Sequence, residues 1–551
     1  YSYYANGSLK EKSASGKRLL SYEYDLNGNK IKQTDVTGKM TEYIYDERDL
    51  LQEIRDGGKC ITAFKYNDDG TIKEAVSANG MKNLYSYDTD KNLISLNINF
   101  NGKILAQNRY VYDYNGNRTE KQQLQGTTYY TYDSINQLTN VKYPDYEEQL
   151  FYDKAGNRSK RIVNDVTEHY LYDKRNRLIR QVFQQPTGTT AKHYIYDNAG
   201  NLMNDGEKIY KNDAFNRVTR VETTTGQVQI NHYDAEGLRY EMEENKKLVQ
   251  FIFNENREVV IEKSDNNLKR LIRSYDLWAS ECEPEKTWYH YASDEQGSTI
   301  FITDDNKICN KYDYDAWGNL ITCEEIIPNR FLYTGQQFDQ ITQQYYLRAR
   351  YYNPVIARFT KEDIYRGDGL NLYTYCDNNP VIYYDPSGYA CSPNLKNPLE
   401  KKLKDRTLTR QEYKELSRYN RINKINSPIN DFDVRKYGDF RNYPKDNLSG
   451  HELLQNAWLK HNNQMNKKSQ NPAIALNEYP YHKTISKEQR KRGYYSYEYL
   501  NNVSWMKNLK DNYKIMKDYN VQNPENKIPQ KAMYNLLHET ISYGKQNFYR
   551  R

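Results

Sequence analysis

A tyrosine followed by aspartate or asparagine recurs along the chain up to about residue 340, and this repeat limits the fold more than any other feature. Tyr22-Glu23-Tyr24-Asp25, Tyr43-Ile44-Tyr45-Asp46, Phe64-Lys65-Tyr66-Asn67 and Tyr85-Ser86-Tyr87-Asp88 open successive units. The second Tyr of each is spaced by 21 residues, and the series continues at Tyr112, Tyr132, Tyr152, Tyr172 and Tyr196. A degenerate copy follows around Asp213, and another at Tyr233. Aromatic and polar residues alternate with period two, the signature of a strand. Segments such as Asp113-Tyr114-Asn115-Gly116-Asn117 tolerate positive φ and read as hairpin turns. One hairpin of this length cannot bury its own face, whereas stacked hairpins share one. The expectation is a mainly β chain built as a continuous curved or spiralling sheet. Its 57 tyrosines supply rings to bury and hydroxyls to satisfy, so a very polar chain can still be ordered.

The repeat stops near residue 331. Tyr345-Tyr346-Leu347-Arg348-Ala349-Arg350-Tyr351-Tyr352, then Ala357-Arg358-Phe359, and finally Asp385-Pro386-Ser387-Gly388-Tyr389 follow with a different pattern. Beyond residue 390 the charge changes sign. Residues 1–390 carry 49 Lys+Arg against 57 Asp+Glu, net −8, and residues 391–551 carry 31 against 16, net +15. A basic tail favours an anionic partner such as nucleic acid; a solvated basic surface is the plainer reading. The six cysteines show no paired metal-ligand or disulfide-framework spacing. No apolar run is long enough to span a membrane as a helix. The chain begins at Tyr1 with no initiator Met or signal pattern, which reads as a piece of a longer protein.

The Tyr-Asp array and the motifs from Tyr345 to Tyr389 closely resemble the Rhs/YD-repeat family and its repeat-associated core, and are similar also to wall-associated proteins. That resemblance implies four segments. They are a repeat β-shell (1–330) coiled into a hollow cocoon, a core closing it (331–389), a linker (390–445) and a C-terminal toxin domain (446–551). It also implies self-cleavage after Tyr389 by Asp363 and Asp385, with Arg358 tuning their charge. Two aspartates sharing a proton can activate water against a peptide bond. Ile364 and Tyr389 stand where the family has Pro and Leu, and a simple turn at Asp385-Pro386-Ser387-Gly388 is the structural alternative.

In the tail, helix-like spacing predicts a small, mainly α domain. His451-Glu452, Asn471 and His482 resemble the HNH/endonuclease VII-like toxin nucleases. Carried over, His451 and Glu452 would share the roles of base and metal ligand. Asn471 would fix a loop, and His482 would hold a divalent metal ion, Mg or Zn. Phosphodiester hydrolysis needs a base for water and a cation for the developing charge. Lys483, Lys487, Arg490 and Lys491 would contact phosphates. A metal-free RNase using His451 and His482, or surface residues of a YD-repeat adhesion protein with a non-catalytic tail, are the alternatives. The toxin reading implies a nucleic-acid substrate, a cognate immunity protein and delivery machinery. It places the protein in secretion or at the cell surface, with the tail acting in a target-cell cytoplasm.

Overall fold

The computed structural model describes residues 1–265, 267–364, 371–389 and 391–393, and in the tail 434–436, 448–452, 472–477, 485, 489, 491–492, 505–522, 528, 533, 536–537 and 540. The chain divides into two compact units, Tyr1–Tyr413 and Lys414–Arg551.

The repeat becomes antiparallel meander, as its periodicity predicts. A 19-stranded sheet runs from Ser2 to His193 and a 14-stranded sheet from Ile195 to Glu325, each strand pairing with the next in sequence. The motif residues explain why. In the first unit Asp25 Oδ1 accepts the backbone N–H of Asn27 (2.9 Å) and Asn29 (2.8 Å), and Oδ2 accepts Asn29 Nδ2 (2.9 Å). The same staple recurs at Asp113, Asp153 and Asp315. The third turn residue has positive φ, filled by Gly28 or Gly116, and in other units by Asn136, Asn176 and Asn216. The second Tyr does more than pack its ring. Its hydroxyl donates to a carbonyl of the preceding unit: Tyr132 to Arg118, Tyr152 to Leu138, Tyr172 to Arg158, at 2.6 to 2.8 Å.

The two sheets meet through buried side chains. Phe64 packs edge-on to Trp278, with ring centroids 5.0 Å apart. Arg270 of the second sheet reaches Asp35 (2.5 Å) and Asp56 (2.7 Å) of the first, beside Glu281 (2.6 Å). A stacked aromatic cluster of Tyr333, Phe338, Tyr345, Tyr352, Phe359 and Tyr375 fills the core segment. Its four short strands are Gln337–Asp339, Gln344–Leu347, Arg350–Asn353 and Arg358–Phe359. The core is hydrogen-bonded to the start of one repeat unit after another. Asn379 meets Asn117 and Asn378 meets Gln137 and Gly156. Arg358 meets Asn176, Tyr373 meets Gly200, and Lys361 meets Asn216. The arrangement is a mainly β YD-repeat shell fold with its core segment packed on the repeats.

The tail, expected to be mainly helical, also contains strands. Strands Val434–Lys436, Leu448–Glu452 and Pro472–Asn477 form a small antiparallel sheet, and Trp505–Gln522 is a helix. Residues such as Ile474 and Val434 are β-branched, and the short apolar runs that carry them read equally as strand or helix by pattern alone. No helix among the described residues is long and apolar enough to cross a membrane.

Candidate functional site

The core hairpin Gln344–Leu347/Arg350–Asn353 turns through Arg348 and Ala349, with Arg348 at φ 59°. This tight turn presents Arg350 to both expected aspartates. Its Nη2 lies 2.8 Å from Asp363 Oδ2 and 3.5 Å from Asp385 Oδ2, and all three side chains are buried. The guanidinium stacks on the Phe359 ring at 3.5 Å, and Nη1 donates to the Leu372 carbonyl (3.1 Å).

The two carboxylates are unequal. Asp363 takes the short ion pair. Asp385 is fully buried, and burial pushes its carboxyl pKa up; the Arg350 charge and the N–H donors of Gly388 and Ser387 oppose that shift without cancelling it. Asp385 Oδ1 accepts Gly388 N (2.7 Å), Ser387 N (3.0 Å) and Ser387 Oγ (3.1 Å), while Oδ2 accepts no hydrogen bond. Asp363 is ion-paired while its neighbour Asp385 is biased toward the neutral form, an asymmetry of the kind an aspartate pair would need.

The segment that would be cut is held carbonyl by carbonyl. Arg348 Nη1 donates to Pro386 O, Ala349 N to Ser387 O (3.2 Å), and Arg350 Nε to Gly388 O. Gly388 sits at φ 73°, and a Cβ there would lie 2.4 Å from Leu347 O and 2.8 Å from Arg350 N. Only glycine permits this approach. The motif is thus more than a turn; it is docked against the hairpin that carries Arg350. Tyr389 N donates to Ser387 Oγ (3.2 Å), and Ala390 lies outside the described residues.

Arg358 is not the guanidinium beside the acids. Its Nη2 donates to Asn176 O (2.6 Å), and it stacks between Tyr172 (4.7 Å) and Tyr373 (5.2 Å). The turn before it directs the side chain to the wall, with Ala357 at φ 52°. Arg350 is the residue that sequence reasoning missed.

In the tail, His451 and Glu452 end the strand Leu448–Glu452, in register with Ile474 and Ala473. Asn471, which directly precedes the partner strand in sequence, and His482, Lys483, Lys487 and Arg490 lie outside the described residues. Lys491 is helical and exposed, beside Arg492, which pairs with Asp518 at 3.0 Å. Among the described residues no cluster of acidic, histidine or cysteine side chains is placed to hold a metal ion.

Residues 122–381 match the Teneurin YD-shell family model. The chain is 31% identical over 369 residues to the tRNA(Glu)-specific nuclease WapA of Bacillus subtilis subsp. natto, and 29% identical to the tRNA nuclease WapA of Bacillus subtilis strain 168. Each alignment covers 63% of this chain and 15% of the relative. The chain therefore spans about 15% of the length of these curated relatives. Among solved structures, the TcdB2-TccC3-TEV crystal structure aligns with a TM-score of 0.54 at 17% identity, over 70% of this chain and 23% of that one. At that identity the likeness concerns the fold.

Proposed function

We propose that this chain belongs to a YD-shell toxin whose core cuts its own chain after Tyr389 and so frees a basic nuclease tail. The observation that carries the self-cleavage is the pair Asp363 and Asp385 on the single guanidinium of Arg350, with the motif carbonyls 386 to 388 pinned beside it. Asp363, ionised by Arg350, takes a proton from water. The oxygen adds to the carbonyl carbon of Tyr389, and the protonated Asp385 supports the developing oxyanion. Collapse breaks the bond to Ala390, whose nitrogen receives the proton. Arg350 keeps one acid ionised and anchors the preceding carbonyl. Sequencing the N-terminus of the released fragment tests the cut: Ala390 supports it, while Tyr389 would move it to the Gly388 carbonyl that Arg350 holds.

The nuclease reading of the tail rests on its net charge of +15 and on His451, Glu452, Asn471 and His482. The relatives' printed activity, on tRNA, makes RNA the first substrate to try. Their match covers a share of the chain that the repeats and core hold by themselves, so it supports the shell more directly than the tail. A divalent ion would be held by His451 and His482, whose side chains are not among those described. The toxin reading includes an immunity protein, delivery machinery, secretion and action in a target cytoplasm. Expression of residues 390–551 tests it. Growth arrest that His482→Ala relieves, with tRNA degraded, supports the nuclease; degradation resistant to chelator selects the metal-free RNase. Harmless expression of a folded tail favours the adhesion protein.

A further inference from the structure

Two of the six cysteines flank the proposed cut. Cys376 is fully buried in the core cluster, in the turn after Tyr375. Cys391 is half-buried and packs on the same cluster, because the chain doubles back after Gly388 and pairs Tyr384 with Ser392 and Tyr383 with Pro393. Both cysteines thus belong to one packed cluster, and burial, then the nearness of Cys391, pushes the Cys376 thiol pKa well up. Two cysteines brought to one cluster can be joined where side-chain rotation closes the gap to a bond of about 2.0 Å.

We infer that Cys376 and Cys391 form a disulfide under oxidising conditions, and that this bond keeps the tail attached to the core after the backbone has been cut. The 376–391 loop encloses the Tyr389–Ala390 bond, so cleavage inside the closed loop leaves two chains joined by one covalent link. Formation is a two-electron oxidation by a small-molecule disulfide. The Cys391 thiolate attacks it and expels one thiolate. The Cys376 sulfur then displaces the second and loses its proton. Two protein thiols and one small disulfide become one protein disulfide and two small thiols. Cys376 is buried, so the half-buried Cys391 is the sulfur that a small molecule reaches first, in both directions. A thiol-rich cytosol reverses the reaction and frees the tail. The bond also orders events: cleavage arms the molecule, and reduction releases it. This consequence rests on the proposed self-cleavage, whereas the disulfide itself does not.

The full chain, equilibrated with oxidised glutathione and quenched with N-ethylmaleimide, is run on denaturing gels with and without reductant. The expected result is one band near 65.6 kDa without reductant and two fragments with it. Two fragments in both lanes overturn the latch and leave self-cleavage standing. One band in both lanes overturns self-cleavage; the peptide map then decides the disulfide, a bridged Cys376–Cys391 peptide upholding it and two alkylated cysteines removing it. Cys391→Ser, at the more exposed partner, is expected to cut normally and to show two fragments in both lanes.

Discussion

Arg239 of the repeat sheet and Arg350 of the core are both buried guanidiniums, each stacked on an aromatic ring and each bound to aspartate, yet their acids are served differently. Arg239 holds Asp339 with both terminal nitrogens, and Gln229 Nε2 adds a third donor at 2.8 Å, so both Asp339 oxygens are occupied. Arg350 divides one nitrogen between Asp363 and Asp385 and spends its others on backbone carbonyls, leaving Asp385 Oδ2 without a hydrogen bond. A saturated ion pair fixes two parts of the fold together. An acid with one oxygen left open beside an ion-paired neighbour is what the proposed proton exchange needs. On that proposal the same residue types serve cohesion in one place and chemistry in the other.

The largest test of this contrast is all-or-none. Asp385→Asn or Asp363→Asn is expected to leave only the full-length chain on a reducing gel, whereas Arg358→Lys still yields two fragments; two fragments from Asp385→Asn would end the comparison. Next, Arg239→Ala strands Asp339 in the interior and is expected to destabilise the shell by about 3–5 kcal/mol in denaturant unfolding. Gly388→Ala forces a Cβ into the Leu347 carbonyl, with an expected loss of about 1–3 kcal/mol and slower cutting in a timed gel assay.

The pH dependence sharpens the asymmetry further. Burial raises the Asp385 pKa, so the folded chain keeps this proton where the unfolded chain has lost it. The associated destabilisation is absent below the unfolded pKa, grows as pH rises, and is complete above the folded one. Self-cleavage needs the protonated form, so its rate is expected to fall about tenfold per pH unit above the folded pKa. A rate that stays flat there removes Asp385 as the neutral partner. Smallest of all, Ala357→Gly relieves the positive φ and is expected to raise stability by about 1 kcal/mol or less, read as a shift in the unfolding midpoint.

The repeat fold was legible because its causes are local. Asp25, Gly28 and Asn29 close their own turn, and the tyrosine period marks each strand. The acids Asp363 and Asp385 were legible as motif residues. Their guanidinium was not, because the family resemblance pointed to Arg358. In the folded chain a two-residue hairpin brings Arg350 there instead. Two arginines around a tight turn, at 348 and 350, were the available signal. The tail was read as helical from spacing, which serves well for Trp505–Gln522 and poorly for the short strand Pro472–Asn477.

The hydrogen bonds between the core and the repeats also bear on how such chains change over evolutionary time. From Asn117 to Asn216 every unit meets a specific core residue, and the adjoining Arg239 amide meets the Tyr346 hydroxyl. A duplication or loss of one unit in that span would put all later partners out of step. The units before Tyr112 are tied mainly to their neighbours, by tyrosine hydroxyls such as Tyr66 on Leu51, and to the opposite sheet. Whole-unit insertions should therefore accumulate in that first part, letting the extent of the wall drift while the contacts of the core stay in register.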